Sequence, residues 1–379
     1  MNMTTKTRHG ASDDEAEQIG FADSTKPGTS DAKPIPGSTV AIFDPGAVKT
    51  QLRLGACTAD EPDASWNDQP AITSSSPEEQ SRLERLRALI FTDPRRRLLH
   101  ADTAMRNTLA FLRDECPAFI AVIDLIDRAL ALSHLSGTGI AFPPILLCGA
   151  PGIGKTHFSR RLADALGTEQ HQFSCGTNSD AQALIAGHPP SWKGARMGSI
   201  TEALLGGAIA NPLIVLDEVD KFVTHASEKP YNSLLALIEP ENAVALVDEY
   251  LRIPFDLSHC LILATANDVD VLPEFIRDRF LIVDVPAPSG AGLLAVTRRI
   301  ARTIIAGHGN AFAEPDETVI TRLARAHPRR IRRVLTLSLG YAAAAGRNHL
   351  IVADIDAAEQ MAAGTRTAMP IGFIRSTEA

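Results

Sequence analysis

The segment Gly149-Ala150-Pro151-Gly152-Ile153-Gly154-Lys155-Thr156 constrains the fold more than any other stretch of the chain. It follows an apolar run from Pro144 to Cys148 that reads as a buried strand. It opens a stretch from Lys155 to Leu166 that reads as a helix closed by Gly167. A glycine-rich turn between strand and helix, ending in Lys-Thr, is the phosphate-loop pattern in the context that gives it meaning. Glycines let successive backbone N–H groups curl inward around phosphate oxygens, and the helix N-terminus adds partial positive charge. On this reading Lys155 reaches the β- and γ-phosphates of a bound nucleotide, and the Thr156 hydroxyl ligates Mg2+.

Further along, the apolar run Leu213 to Leu216 ends in Asp217 and Glu218. Ligands of doubly wound sheets bind outside the carboxyl ends of the strands, so this acidic pair faces the same crevice as the loop. Asp217 is placed to hold the Mg2+ shell, and Glu218 to orient and polarise an attacking water. An Asp-Glu pair alone is common and could cap a helix; its position relative to the phosphate loop gives it weight. Runs at Leu261 to Ala264 and Phe280 to Val283 read as further strands between amphipathic stretches. This alternation is the signature of a parallel sheet covered by helices on both faces, an α/β P-loop NTPase core. After Pro286 the strands stop. Helices over about 290–305, 316–325, 329–345 and 353–363 then form a small all-helical domain.

Ahead of the core, Ser76 and Pro77 read as a capped helix start leading into Leu83, Leu86 and Leu89. Helices follow over about 104–113 and 118–135. Residues 1–76 are rich in Ser, Thr, Asp, Gly and Pro, with only short apolar runs such as Val40 to Phe43. They are expected to be mainly disordered, because little apolar surface is available to offset the entropy of ordering. The divisions are therefore 1–76, a helical lead-in over 77–137, a nucleotide-binding domain over 138–287, a helical domain over 288–365 and a tail over 366–379. No apolar run approaches the ~18 residues that span a bilayer, and no signal pattern opens the chain, so a cytoplasmic protein without membrane partners is expected. The 5 cysteines are scattered and never spaced as a metal-binding pair, which favours reduced structural thiols. A net charge of −8 argues against bulk attraction to nucleic acid. Of the basic clusters, Arg95 to Arg97 reads as a solvated helix face.

Several segments resemble the ATPase module of Lon-type proteases, within the AAA+ superfamily. Gly187-His188 through Trp192 to Gly194-Ala195 and Gly198 is similar to the family's pore-loop segment. Asp217-Glu218-Val219-Asp220-Lys221, the run Leu234 to Glu241, the run Asp248 to Ser258, and Thr265-Ala266-Asn267 follow in family order. The resemblance covers roughly 118–345. It implies a sensor role for Asn267, helping to position the hydrolytic water, and a pore-facing aromatic at Trp192. It also implies an arginine finger at Arg279, with Arg277 as second candidate, reaching a neighbouring subunit's γ-phosphate. Arg329, opening the third helix of the C-terminal domain, matches a second sensor that touches nucleotide. Arg330, Arg332 and Arg333 read as solvated face, inter-subunit contact or phosphate environment.

The resemblance thus implies a hexameric ring of identical subunits that hydrolyses ATP with Mg2+ and unfolds or remodels protein clients, the small helical domain being the AAA+ lid. The chain ends soon after that lid, so no peptidase activity of its own is expected. Departures from the family pattern are Lys193 after Trp192 where an aliphatic is usual, and Pro117-Ala118-Phe119 in place of the Tyr-Gly-Leu box near the adenine. Two other readings carry different expectations: an ATP-gated switch that recruits partners, and a nucleic-acid remodelling ATPase.

Overall fold

The computed structural model describes residues 38–57, 76–176, 181–222, 231–326 and 328–363, all within one compact unit. Its centre is a five-stranded parallel sheet of β3 (Ile145–Cys148), β4 (Gln170–Ser174), β5 (Leu213–Asp217), β8 (Leu261–Ala266) and β9 (Leu281–Asp284), in the order β4-β5-β8-β3-β9. The order reverses between β3 and its neighbours, so the crevice at the carboxyl ends of β3, β5 and β8 is the place where such sheets bind ligands.

Alternation along the central strands divides the interior. Ile145, Leu147, Leu213, Val215, Leu261 and Leu263 enter one apolar cluster with α3 (Thr103–Glu115), α4 (Ile120–Ser136) and α5 (Lys155–Leu166). Leu146, Ile214, Leu216, Ile262 and Ala264 enter another on the opposite face. Helix α3 starts at Asp102, whose carboxylate accepts the Met105 N–H. It is tied to α4 by Arg106–Asp127 at 2.9 Å and Arg113–Asp124 at 2.7 Å. Helix α5 ends as expected at Gly167, in the left-handed conformation at φ 60°.

The second face is where the sequence reading needs correcting. Residues 38–57, part of the 1–76 segment expected to be mainly disordered, carry strand β1 (Thr39–Ala41) and helix α1 (Pro45–Cys57), and Ile42, Phe43 and Val48 are buried in the main core. Strand β1 pairs antiparallel with β2 (Arg95–Arg97), so the arginine run is a strand rather than a solvated helix face. Arg96 is buried, donating to the carbonyls of Asp93 and Leu205. Helix α2 (Pro77–Ile90) begins with the Ser76 hydroxyl accepting the Glu79 N–H at 3.2 Å, the cap the sequence indicates. It buries Arg82 beside Leu86 and Leu89. Arg82 donates to Gln51, Glu79 and the Leu251 carbonyl, joining α1, α2 and the hairpin of β6 (Leu246–Asp248) and β7 (Ile253–Phe255). Phe43 packs on Phe255 with ring centroids 5.9 Å apart. Residues 1–37, 58–75 and 364–379 lie outside the described residues.

Helices α6 (Ala181–Ile185), α7 (Ser199–Gly206), α8 (Tyr231–Ile238), α9 (Pro240–Ala243) and α10 (Glu274–Arg277) complete the core layers. The C-terminal part is all helical, with α11 (Gly290–Gly307), α12 (Glu317–Leu323), α13 (Pro328–Ala344) and α14 (Val352–Ala363) around a separate apolar cluster. Arg299 on α11 donates to the carbonyls of Asp114 and Glu115 at the end of α3, fastening these helices to the sheet-bearing part. Among the described residues, no helix is long and apolar enough to cross a membrane. Cys116, Cys148, Cys175 and Cys260 are unpaired and buried, in line with structural thiols. Burial pushes the Cys260 thiol up to about 12.

Candidate functional site

Nine of the residues singled out from the sequence line one cavity of about 230 Å3: Pro151, Gly152, Gly154, Lys155, Thr156, Asp217, Glu218, Asn267 and Arg329. The loop between β3 and α5 forms its floor. Gly154 has φ 103°, a conformation that residues with a side chain rarely adopt, and this turn lets the α5 N-terminus open directly onto the cavity. Gly149, Ala150 and Ile153 stand behind the lining. The Gly149 N–H bonds the Ala266 carbonyl at 3.2 Å, the Ala150 carbonyl accepts from Lys155, and Ile153 packs on the apolar cluster below.

Lys155 is only 7% exposed. Its ammonium donates to the Gly149 carbonyl at 2.5 Å, the Asn267 Oδ1 at 3.1 Å and the Ala150 carbonyl at 3.3 Å. Burial pulls its pKa below the usual lysine value, opposed by the nearby carboxylates of Asp220, Asp217 and Glu218. The Thr156 hydroxyl faces Asp217 Oδ2 at 3.3 Å. A hydroxyl and a carboxylate side by side suit Mg2+, which keeps several waters and relies on substrate phosphates for its remaining ligands. Among the described residues no cluster of three or more His, Cys, Asp or Glu side chains competes for a metal.

Glu218 follows β5 in the left-handed conformation at φ 61°. Its carboxylate pairs with Lys221 at 2.8 Å. The hydrogen bond from Lys221 holds its carboxyl below the usual range, against a smaller opposing effect of burial, so it is ionised at neutral pH. Asn267 sits just past the end of β8, with its backbone N–H on Asp220 Oδ2 at 3.1 Å. Arg329 reaches the cavity from α13, across from the phosphate loop.

Three partners of this cluster escaped the sequence reading as contributors. Gln172, on the edge strand β4, donates to Asp217 Oδ2 at 3.0 Å. Thr265 bonds Asp217 and Glu218, and Asp220 accepts from the Asn267 and Asp268 backbone. Thr265 and Asp220 stand inside the motifs quoted above; Gln172 has no sequence signal, since a polar edge strand lacks an apolar run.

Other expected site residues lie elsewhere. Neither candidate finger lines the cavity: Arg279 pairs with Glu239 at 2.8 Å and donates to the Phe275 carbonyl, and Arg277 pairs with Asp270 at 3.1 Å. Phe119, in the segment replacing the adenine-side box, is buried and stacks on Phe158 at 4.3 Å, so its ring is committed to the core. Trp192 is 50% exposed on the loop over 187–198 and stacks on His188 at 5.0 Å. The base of that loop is fixed. A Cβ on Gly198 would lie 2.3 Å from the Ile185 carbonyl oxygen, and the Gly198 N–H donates to Asp248 at 2.8 Å. Asp248 also accepts from Leu251; burial pushes its carboxyl up to about 6 despite these bonds.

Residues 145–285 match the family described as "ATPase family associated with various cellular activities (AAA)". This segment is an AAA domain. Its match contains β3, the phosphate loop, the acidic pair and Asn267, whereas Arg329 belongs to the helices that follow. The chain is 38% identical to the mitochondrial Lon protease homolog of Rattus norvegicus over 190 residues, covering 48% of this chain and 20% of that protein. It is 40% identical to the Lon protease of Magnetococcus marinus over 154 residues, covering 41% and 19%. The match to the mitochondrial Lon homolog of Homo sapiens is 40% over 156 residues, covering 41% and 16%. The chain therefore spans only about a fifth or less of the curated relatives it matches. A RuvB variant of Thermotoga maritima is similar in structure, with a TM-score of 0.46 and 16% identity over 64% of this chain and 69% of that one. The match over 145–285 takes in all five strands of the parallel sheet and every cavity-lining residue except Arg329.

Proposed function

We propose that this protein is a Mg2+-dependent ATPase that works as a ring of identical subunits, hexameric by analogy with its Lon-type relatives, and remodels protein clients. The observation that carries the ATPase part is the convergence of Lys155, Thr156, Asp217, Glu218, Asn267 and Arg329 on one cavity at the carboxyl edge of the sheet. In this reading the loop amides and Lys155 hold the phosphates, and Thr156 and Asp217 hold Mg2+. Bound there, Mg2+ offsets charge on the phosphate oxygens. Glu218 orients water and accepts its proton, Asn267 fixes the water's position, and Arg329 senses nucleotide from the helical side.

Arg279 lies outside its own subunit's cavity, which supports a role on a neighbour's nucleotide. The active site is then complete only in the assembly. Dilution to monomers is expected to lower turnover per subunit while ATP binding persists, read by a coupled assay beside light scattering; unchanged turnover in monomers would remove trans catalysis.

A half-exposed Trp192 on a loop with a fixed base supports contact with an extended polypeptide. The test compares ATP turnover alone, with an unfolded polypeptide, and with single- and double-stranded DNA. Stimulation by polypeptide is expected, and Trp192→Ala is expected to keep basal turnover and lose that stimulation. Stimulation by DNA with steep salt dependence would instead favour nucleic-acid remodelling. Slow turnover indifferent to both, with partner binding that follows nucleotide state, would favour a switch.

A further inference from the structure

We infer that Thr265 is a positioning residue for the ATPase reaction, whose one buried hydroxyl holds both the Asp217 carboxylate that ends β5 and the backbone turn at Glu218 that follows it. The assignment rests on the ATPase reading above. Thr265 is fully buried on β8, the strand paired with β5. Its Oγ1 lies 2.6 Å from Asp217 Oδ1 and 2.9 Å from the Glu218 backbone nitrogen. An ionised carboxylate only accepts, and a backbone N–H only donates. The direction of both bonds is therefore fixed: the hydroxyl donates to Asp217 and accepts from Glu218.

Each bond answers a separate need. Asp217 has Oδ2 shared between Thr156 and Gln172, so the bond from Thr265 to Oδ1 stops the carboxylate turning about its own axis. Glu218 is at φ 61°, a conformation that residues with a side chain adopt rarely unless their surroundings hold them there. Accepting its N–H is what Thr265 supplies to that turn, and the turn aims the Glu218 carboxylate over the cavity. The two bonds polarise one another, since a hydroxyl that donates to an anion becomes a better acceptor. Positioning of the metal-holding and the water-orienting groups is thereby joined at one atom on a neighbouring strand.

Valine matches threonine in shape and lacks the hydroxyl; serine keeps the hydroxyl and lacks the methyl. Thr265→Val is expected to lower turnover at saturating ATP by about 10- to 100-fold, the usual effect of removing a partner behind a metal-holding group. Calorimetry with β,γ-imido-ATP gives a reading independent of turnover. Affinity in EDTA should stay within about twofold of the unmodified protein, while the gain in affinity on adding Mg2+ should shrink by about 10-fold or more. Thr265→Ser should restore most of both losses. Should Thr265→Val fail to fold, Thr265→Ala under the same readings decides. Normal turnover and a normal Mg2+ gain in the hydroxyl-free variant, or a serine variant as impaired as valine, would overturn the assignment alone. An unmodified protein with no affinity for the nucleotide would overturn the ATPase reading and this assignment with it.

Discussion

Glu218→Gln should leave a protein that binds ATP and scarcely turns it over. Glutamine keeps the size of the side chain and removes its capacity to take a proton, so the loss belongs to the chemical step. General-base contributions are about 10²- to 10⁴-fold, and the fall in turnover should lie in that range. Lys221 holds the Glu218 carboxyl below the usual range, so its ionised form persists as pH falls from neutral towards about 5. Protonation of Glu218 accordingly places no acid limb on the rate within that interval. The ion pair with Lys221 contributes stability above the unfolded carboxylate pKa and loses it as pH drops through the lower folded value. Steady-state turnover beside nucleotide titration checks both halves; near-normal hydrolysis by the variant would take Glu218 out of the mechanism.

Lys155→Ala should act a stage earlier, on binding itself. The ammonium sits on the cavity floor among the loop carbonyls and Asn267, where a triphosphate would be its strongest counter-charge. Truncating one member of a desolvated charge pair costs about 2–5 kcal/mol, or roughly 30- to 4,000-fold in affinity. Calorimetric titration with ATP should show a loss of that size, with the melting temperature of the ligand-free protein little changed. An affinity within a few fold of the original would contradict the cradle reading.

The sheet-bearing part of the molecule was legible because its signals are local. A phosphate loop, its flanking strand and helix, and a capping glycine at Gly167 are all contiguous, and each local preference agrees with the final geometry. The strands β3, β5 and β8 announce themselves by runs buried on both faces. Strand β4 is Gln-His-Gln-Phe-Ser and sits at the sheet edge, so its assignment depends on a neighbour that the sequence window does not include. Residues 38–57 were misread for a related reason. Ile42, Phe43 and Val48 offer little apolar surface by themselves, and their burial is worthwhile only against distant partners such as Phe255 and Leu251. Arg96 reads as solvent-loving until the Leu205 carbonyl is placed beside it. Thr265 was visible as a letter in a motif, but its double attachment comes from the pairing of β5 with β8.

Arg82, planted between α1, α2 and the Leu251 carbonyl, means that kinship and cooperativity have different borders here. Trimming the protein to residues 145–285 would preserve every cavity-lining residue except Arg329 while stripping the cover from Tyr250, Leu251 and Phe255. Such a fragment would inherit the ancestral pocket with an apolar wound on its flank, and would be prone to clump before it could be asked to do any work.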